Sequence, residues 1–374
     1  MPKLTFYPLG NADCCRVDLA NDDQLLFDYA AMRDPNDAYD KRCDLPVELR
    51  KDLSTRKRNW YRVVAFTHLD HDHICGASDF FYLEHAQKYQ VGHRVRINEL
   101  WVPAAAITEE GCDDEDRIIR AEARHRIRQG KGIRVFSRPE SLKQWMTDQG
   151  ISFEERKHLI TDAGQLIPGF SALVDGVEFF VHSPFATRQN EAELVERNMN
   201  CLVLHATFTV GQVQTKIFLG ADATHEALTD IVRITNAHCR QDRLEWDVMK
   251  ICHHTSYLAI GPEKGKEKTQ PVPETACLYE EMGLSRAIMV STSDPIPSND
   301  DCSQPPHRQA AKYYQDCSVA RGGKYKVTME HPRISRPEPL VIEIDGTKAR
   351  VVEAFTAGIT SIVSRPAPRA GSND

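Results

Sequence analysis

The sequence predicts a layered α/β protein in which two β-sheets pack between helices. Two observations predict it. Short apolar runs separated by Gly, Asn and Asp turns recur near both ends of the chain, with amphipathic and charged helix-like stretches between them. The 374 residues are 41% hydrophobic and 27% charged, enough to build a sizeable core and too apolar for a disordered chain. No internal repeat divides the chain. A single parallel sheet would contradict the expectation.

Taken in order, Leu4–Tyr7, Cys15–Leu19 and Gln24–Asp28 read as strands, each ended by turn residues. Tyr61–Thr67 is a further strand that stops at a dense His/Asp cluster. Ala77–Tyr89 is aromatic-rich and helix-like, and Glu99–Val102 returns to strand. A charged insertion, about 108–160, has one helix as its centre, Asp113–Gln129. Acids fill its first turn and arginines its later turns, as the helix dipole favours, with Gly130 and Gly132 as stop signals. Strands follow at Gly176–Val181, Cys201–Phe208 and Thr215–Leu219, with a helix-like Glu191–Arg197 between the first two. Then come a helix at Thr224–His238, a strand at Trp246–Cys252, an exposed loop at Gly261–Pro273 and a helix near Thr275–Met282. A strand at Arg286–Ser291, a helix at Pro306–Gln315 and strands near Tyr325–Glu330 and Leu340–Ile344 complete the series. One domain is expected over 1–355, followed by a tail, 356–374, whose end is disordered.

Composition narrows the function classes. The formal charge of −7 excludes a protein that coats nucleic acid by bulk charge but leaves room for a local basic groove. No apolar run approaches the ~20 residues that cross a bilayer, so no membrane partner is expected. The opening MPKLTFYPLGNADCC lacks the blocks of a signal peptide. Eleven cysteines, an odd number without repeated C-x-x-C spacing, predict mostly free thiols in a reducing, cytoplasmic setting.

The chemistry is concentrated in Thr67-His68-Leu69-Asp70-His71-Asp72-His73-Ile74-Cys75-Gly76. Five potential ligands occupy six consecutive positions directly after a strand. Imidazole and carboxylate together suit zinc, manganese or ferrous iron. Alternate residues of an extended loop converge on one ion, and the adjacent Asp-His pair can address a second.

This segment resembles the H-x-H-x-D-H metal signature of the metallo-β-lactamase superfamily, with Asp70 where most of the superfamily has its second histidine. An H-x-D-x-D-H-I-G-G version marks one branch, the hydrolase domain of the ComEC-type DNA-uptake proteins and their free-standing relatives; Cys75 here replaces the first closing glycine. Five further stretches resemble that branch in the expected order. Gly10–Cys14 resembles G-x-G-D-[SA], Leu26–Ala30 L-[IV]-D-x-G, and Asn198–Leu204 N-x-N-S-L-V-L. Phe218–Ala223 resembles F-x-x-G-D-A, and Met249–Ser256 L-K-V-x-H-H-G-S. The resemblance spans roughly residues 1–345 and implies an αββα metallo-β-lactamase-like sandwich, with the charged helical insertion beside the mouth of the site.

It also implies roles. His68 and Asp70 would hold one metal, Asp72 and His73 the other, and Asp222 would bridge them. Asn200 or Asn198 would complete the first site. His254 would join the second metal and His253 the substrate side, although the sequence leaves open which of the two ligates. Asp13 and Asp28 would orient ligands from behind. His182 reads as structural, and His71 falls at a variable position of the motif. Two divalent ions, zinc or manganese, would lower the pKa of a shared water and clamp an in-line displacement. Asp72 belongs to that catalytic machinery, and His253, Ser256 and His307 are candidates to contact substrate or stabilise a leaving group. Arg120, Arg124 and Arg128, in register with Arg117, form a helical stripe suited to phosphates. The expected activity is phosphodiester hydrolysis, of DNA or RNA. Ester, thiolester or lactone hydrolysis is the alternative, and a metal-bound scaffold the third reading.

Overall fold

The computed structural model describes residues 1–186, 197–301 and 303–353. The expected helix-like 191–197, all but its last residue, and the tail 356–374 lie outside the described residues. Strands β1 (Lys3–Phe6), β2 (Cys15–Asp18), β3 (Gln24–Phe27), β4 (Trp60–Ala65), β5 (Arg96–Pro103), β6 (Ile133–Phe136) and β7 (Ile160–Thr161) come first. Then follow β8 (Val177–Ser183), β9 (Val203–Val210), β10 (Val213–Leu219), β11 (Trp246–Lys250), β12 (Gly283–Ser291) and β13 (Lys324–Val327). A small ribbon, β14 (Pro332–Arg333) with β15 (Arg336–Pro337), precedes β16 (Leu340–Ile344) and β17 (Ala349–Val351).

These strands form two large mixed sheets. The first runs β17-β16-β1-β2-β3-β4-β5-β6-β7, antiparallel as far as β3 and parallel beyond it. The second runs β13-β12-β11-β10-β9-β8, parallel from β13 to β10 and antiparallel from there.

Alternation along the strands explains the layers, because successive side chains point to opposite faces. Leu25, Phe27, Val63 and Ala65 face inward onto Phe179, Leu204, Ile217 and Val248 of the second sheet. Leu26, Val64, Leu100 and Val135 face outward, under helices α1 (Leu45–Thr55), α5 (Asp114–Gln129) and α6 (Glu140–Asp148). On the far side, Phe218, Trp246 and Met249 pack beneath α7 (His225–Ala237) and α8 (Arg308–Ala320). The order is helices, sheet, sheet, helices, the αββα sandwich that the sequence predicts. Strands apolar on both faces are what such burial requires.

Local signals account for the helices. In α1, Asp44 caps the first turn by accepting from the Val47 N–H at 3.2 Å, and Leu45, Leu49 and Leu53 repeat at four-residue spacing into the core. Helix α5 ends at Gly130, whose φ of 73° favours a residue without Cβ. Between α1 and α5 lie the short helices α2 (His71–Ile74), α3 (Ala77–Phe80) and α4 (Ala105–Thr108). The long helix expected over 77–89 stops at Phe80. Phe81 is already extended, with φ −92° and ψ 148°, and bridges to Val95. The charged stretch is helical, and it also contributes β6 and β7 to the first sheet.

The described cysteines are free thiols, and no helix among the described residues is long and apolar enough to cross a membrane. His182 is a core residue whose Nε2–H donates to the Arg243 carbonyl at 2.9 Å, and His205 donates likewise to Glu245. Burial lowers their pKa values to about 4 and about 3. Both are therefore neutral in the folded chain, whereas the unfolded chain takes up these protons below about pH 6.5. Their contribution to stability is complete above that pH and falls as the pH drops towards 4. The loss is on the order of 2 kcal/mol for each histidine by about pH 4.5. In urea titrations at about pH 7 and about pH 4.5, the His182→Gln/His205→Gln protein should lose less stability on acidification than the wild type. Equal losses would remove these residues as the cause.

Candidate metal centre

The centre is assembled at one end of the sandwich, where β3, β4, β10 and β11 release their loops. Asp28, directly after β3, adopts φ 58° and ties three pieces together. It accepts from Thr67 N–H at 2.7 Å, from Thr67 Oγ1 at 2.8 Å and from His73 Nδ1 at 2.9 Å. That last bond leaves His73 Nε2 as the nitrogen facing the centre. His254 is set the same way, its Nδ1–H donating to the Thr292 carbonyl at 2.6 Å. Asp13 N–H donates to the Asp72 carbonyl at 3.0 Å and joins the first turn to the His/Asp motif.

The result is a buried group of four, Asp13, His73, Asp222 and His254, whose ligand atoms all lie within 4.8 Å of one another. Asp222 lies between the histidines: His73 Nε2 is 3.4 Å from its Oδ1 and His254 Nε2 is 3.3 Å from its Oδ2. Asp72 Oδ2 lies 3.2 Å from His254 Nε2, and Asp70 Oδ2 lies 3.4 Å from His68 Nε2. Nε2 of His68, His73 and His254 and Oδ1 of Asp222 are buried without hydrogen bonds. Nitrogen and oxygen donors gathered this way, with no other partner, fit a divalent ion.

Electrostatics agree. Burial opposes charge on Asp222, but His254 and His73 hold its carboxyl well below the usual range. Burial likewise opposes charge on His254, yet Asp222 and Asp72 push it up to about 10. Without metal, the carboxylates and imidazolium groups neutralise one another, so metal entry must displace protons.

The turn after β11 carries the two histidines in an unusual backbone. His253, His254 and Thr255 have φ values of 50°, 48° and 63°, three successive left-handed residues, none of them glycine. Such residues cost about 1–3 kcal/mol each and persist only when held. Here Thr255 Oγ1 bonds Ser291 Oγ at 2.6 Å, His307 N–H donates to the Thr255 carbonyl at 3.1 Å, and Ser256 N–H closes on the His253 carbonyl at 2.7 Å. The turn sends the two imidazoles apart, their planes 77° to each other. His254 enters the cluster; His253 stays beside it, mostly buried and held below its usual pKa by that burial.

The other expected residues are distributed more widely. Asn200 is buried just before the chain joins Thr67 through Leu202 N–H at 2.9 Å, and the Oδ1 of neighbouring Asn198 is buried without a hydrogen bond. Ser256 Oγ accepts from Leu258 N–H at 3.2 Å. Both ring nitrogens of His307 are engaged, Nδ1 by the Tyr257 N–H and Nε2 by the Ser303 carbonyl. His71 is exposed. The arginine stripe is tied to the protein itself: Arg120 to the Glu109 carbonyl at 2.6 Å, Arg124 to the Ile107 carbonyl at 2.8 Å and Arg128 to Gln149 at 2.6 Å. Arg124 and Arg128 also lie against the Trp145 ring.

Two residues without a role in the sequence-based expectation are central here, Lys250 of the Met249–Ser256 motif and Arg197. Lys250, at the buried end of β11, is ion-paired with Asp13, lies 3.6 Å from Asp222 Oδ1 and donates to the Ala221 carbonyl at 2.9 Å. Its signal in the sequence is a lysine inside the apolar run Trp246–Cys252. Arg197 grips Asp70 from outside the cluster at 2.9 Å.

No family model matches the chain, and no curated protein matches it at a significant level. Among solved structures, the chain is similar to the crystal structure of a diphosphatase from the PhnP family. The identity is 8% and the TM-score 0.35, over 92% of this chain and 98% of that one. The chemistry of the centre therefore rests on the chain's own side chains.

Proposed function

We propose that the chain is a metal-dependent hydrolase that cleaves a phosphodiester, with DNA or RNA as the leading substrate class. One observation carries the reading: buried imidazole and carboxylate atoms, the histidine Nε2 atoms among them without hydrogen bonds, converge from four separate loops. Two divalent ions, zinc or manganese, would be held by His68 and Asp70 with Asn200 on one side and by Asp72, His73 and His254 on the other, with Asp222 between them. Bound there, the ions supply an activated water at neutral pH and charge stabilisation of the displacement.

The chain's own groups do the remainder. Asp28 and the Thr292 carbonyl hold His73 and His254 in the tautomers that leave Nε2 free. His253 has its Nδ1 buried without a hydrogen bond and stands beside the cluster, placed to hydrogen-bond a substrate oxygen. DNA or RNA as substrate draws on the ComEC-like motif order.

A second reading, hydrolysis of a small ester, thiolester or lactone, is favoured by one feature. The cleft of about 470 Å³ beside the Gly10–Asn11 turn carries Asp37, Asp40 and Asp294 against Lys41 and Arg42, a balance that discourages a polyanionic strand.

A metal-supplemented panel decides between them: single- and double-stranded DNA, RNA, bis-(p-nitrophenyl) phosphate, a thiolester and a lactone, with His254→Ala as the blank. Turnover of the phosphodiesters is expected. Turnover of the thiolester or lactone alone would replace the first reading with the second.

A further inference from the structure

We propose that Arg197 is the positioning residue of the first metal site: it restricts Asp70 to one ligand oxygen and couples that site to the charged segment around α5. The inference rests on the dinuclear reading above. Asp70 Oδ1 accepts from Arg197 Nη1 at 2.9 Å, whereas its Oδ2 faces His68 Nε2 at 3.4 Å. A carboxylate engaged in this way has one oxygen left, on the side of His68 Nε2, which is buried without a hydrogen bond.

Each nitrogen of the guanidinium makes at least one bond. Nη1 also reaches the Leu69 carbonyl at 2.8 Å, Nε reaches Glu109 at 2.8 Å and Nη2 reaches Asp116 at 2.8 Å. Four of its five N–H donors are thereby used, which places Arg197 to act through Asp70. Glu109 follows α4 and is held by Arg120, which donates to its carbonyl at 2.6 Å; Asp116 lies in the first turn of α5. Without the arginine, three carboxylates would face one another around Asp70, and their repulsion would turn it away from His68. A planar fork spanning three carboxylates and a carbonyl is a geometry that a lysine ammonium cannot reproduce.

The test is metal titration of the full chain with cobalt(II), followed by its visible absorption and by elemental analysis, alongside thermal unfolding. Arg197→Lys keeps a cation opposite Glu109 and Asp116. Arg197→Met/Glu109→Gln removes the buried charge together with its partner, so that an unpaired Glu109 does not unfold the chain. In both, one of the two metal equivalents should bind about 10–100-fold more weakly, while the other equivalent keeps its wild-type affinity. A spacer role alone would shift the unfolding midpoint and leave both affinities in place. Two wild-type affinities in both variants would overturn the proposal and leave the dinuclear reading standing. A wild-type chain that takes up no second equivalent would overturn both.

Discussion

Asp72→Ala protein should emerge from purification with less metal than the wild type and hydrolyse bis-(p-nitrophenyl) phosphate at least about 10³-fold more slowly. The magnitude follows from the several kcal/mol of charge stabilisation that a correctly held ion contributes, at about 1.4 kcal/mol per tenfold. Asp72 is the proposed ligand to remove because its side chain is 32% exposed, so its loss should leave the fold intact. Removing Asp222 would strand His73, His254 and Lys250 as buried cations without their shared counter-charge. Elemental analysis, circular dichroism and turnover on the same sample give the answer. Unchanged metal content with unchanged turnover would end the assignment of this cluster as the reactive centre.

The largest stability effect is expected at Lys250. Lys250→Met deletes the cation that faces Asp13 and Asp222 in a site where these three residues are almost completely buried. Breaking a buried pair from one side costs about 3–5 kcal/mol, because the abandoned carboxylate has no solvent to turn to. Urea denaturation of the metal-free chain should show that loss, and the Asp13→Asn/Lys250→Met protein should recover a large part of it. A double variant no more stable than the single one would mean that the lysine acts through packing alone. Since divalent ions place positive charge on the same acids, metal-loaded Lys250→Met should be less destabilised than the metal-free form.

The sandwich was legible because its strands are short apolar runs with two buried faces, a pattern that Leu25-Leu26-Phe27 and Tyr61–Ala65 display plainly. Strand β6 was hidden by its brevity and by Arg134, a buried charge that pairs with Glu99 across the sheet. The His/Asp motif announced the centre, and the Asp28–His73 bond matches the orienting role expected of Asp28. What the sequence could not convey was reach. Arg197 meets Asp70 across 127 positions and Lys250 meets Asp13 across 237, contacts that no local spacing encodes. The arginine stripe shows the converse: a regular helical spacing of cations says nothing about whether backbone carbonyls and an indole ring also hold them.

The register of the first sheet also determines when folding can finish. Strand β1 lies between β2, its hairpin neighbour, and β16, with Lys3 opposite Glu343. Residues 340 positions apart must therefore meet, and loop closure on that scale is slow. During synthesis the ribosome delivers β1 some 340 residues before the strand that covers its open side. Throughout that interval β1 has one row of N–H and C=O groups unpaired, the kind of open edge that recruits foreign strands. Nascent chains stalled before residue 340 should be the aggregation-prone species, and a chaperone that shields the β1 edge co-translationally would raise the yield of native protein.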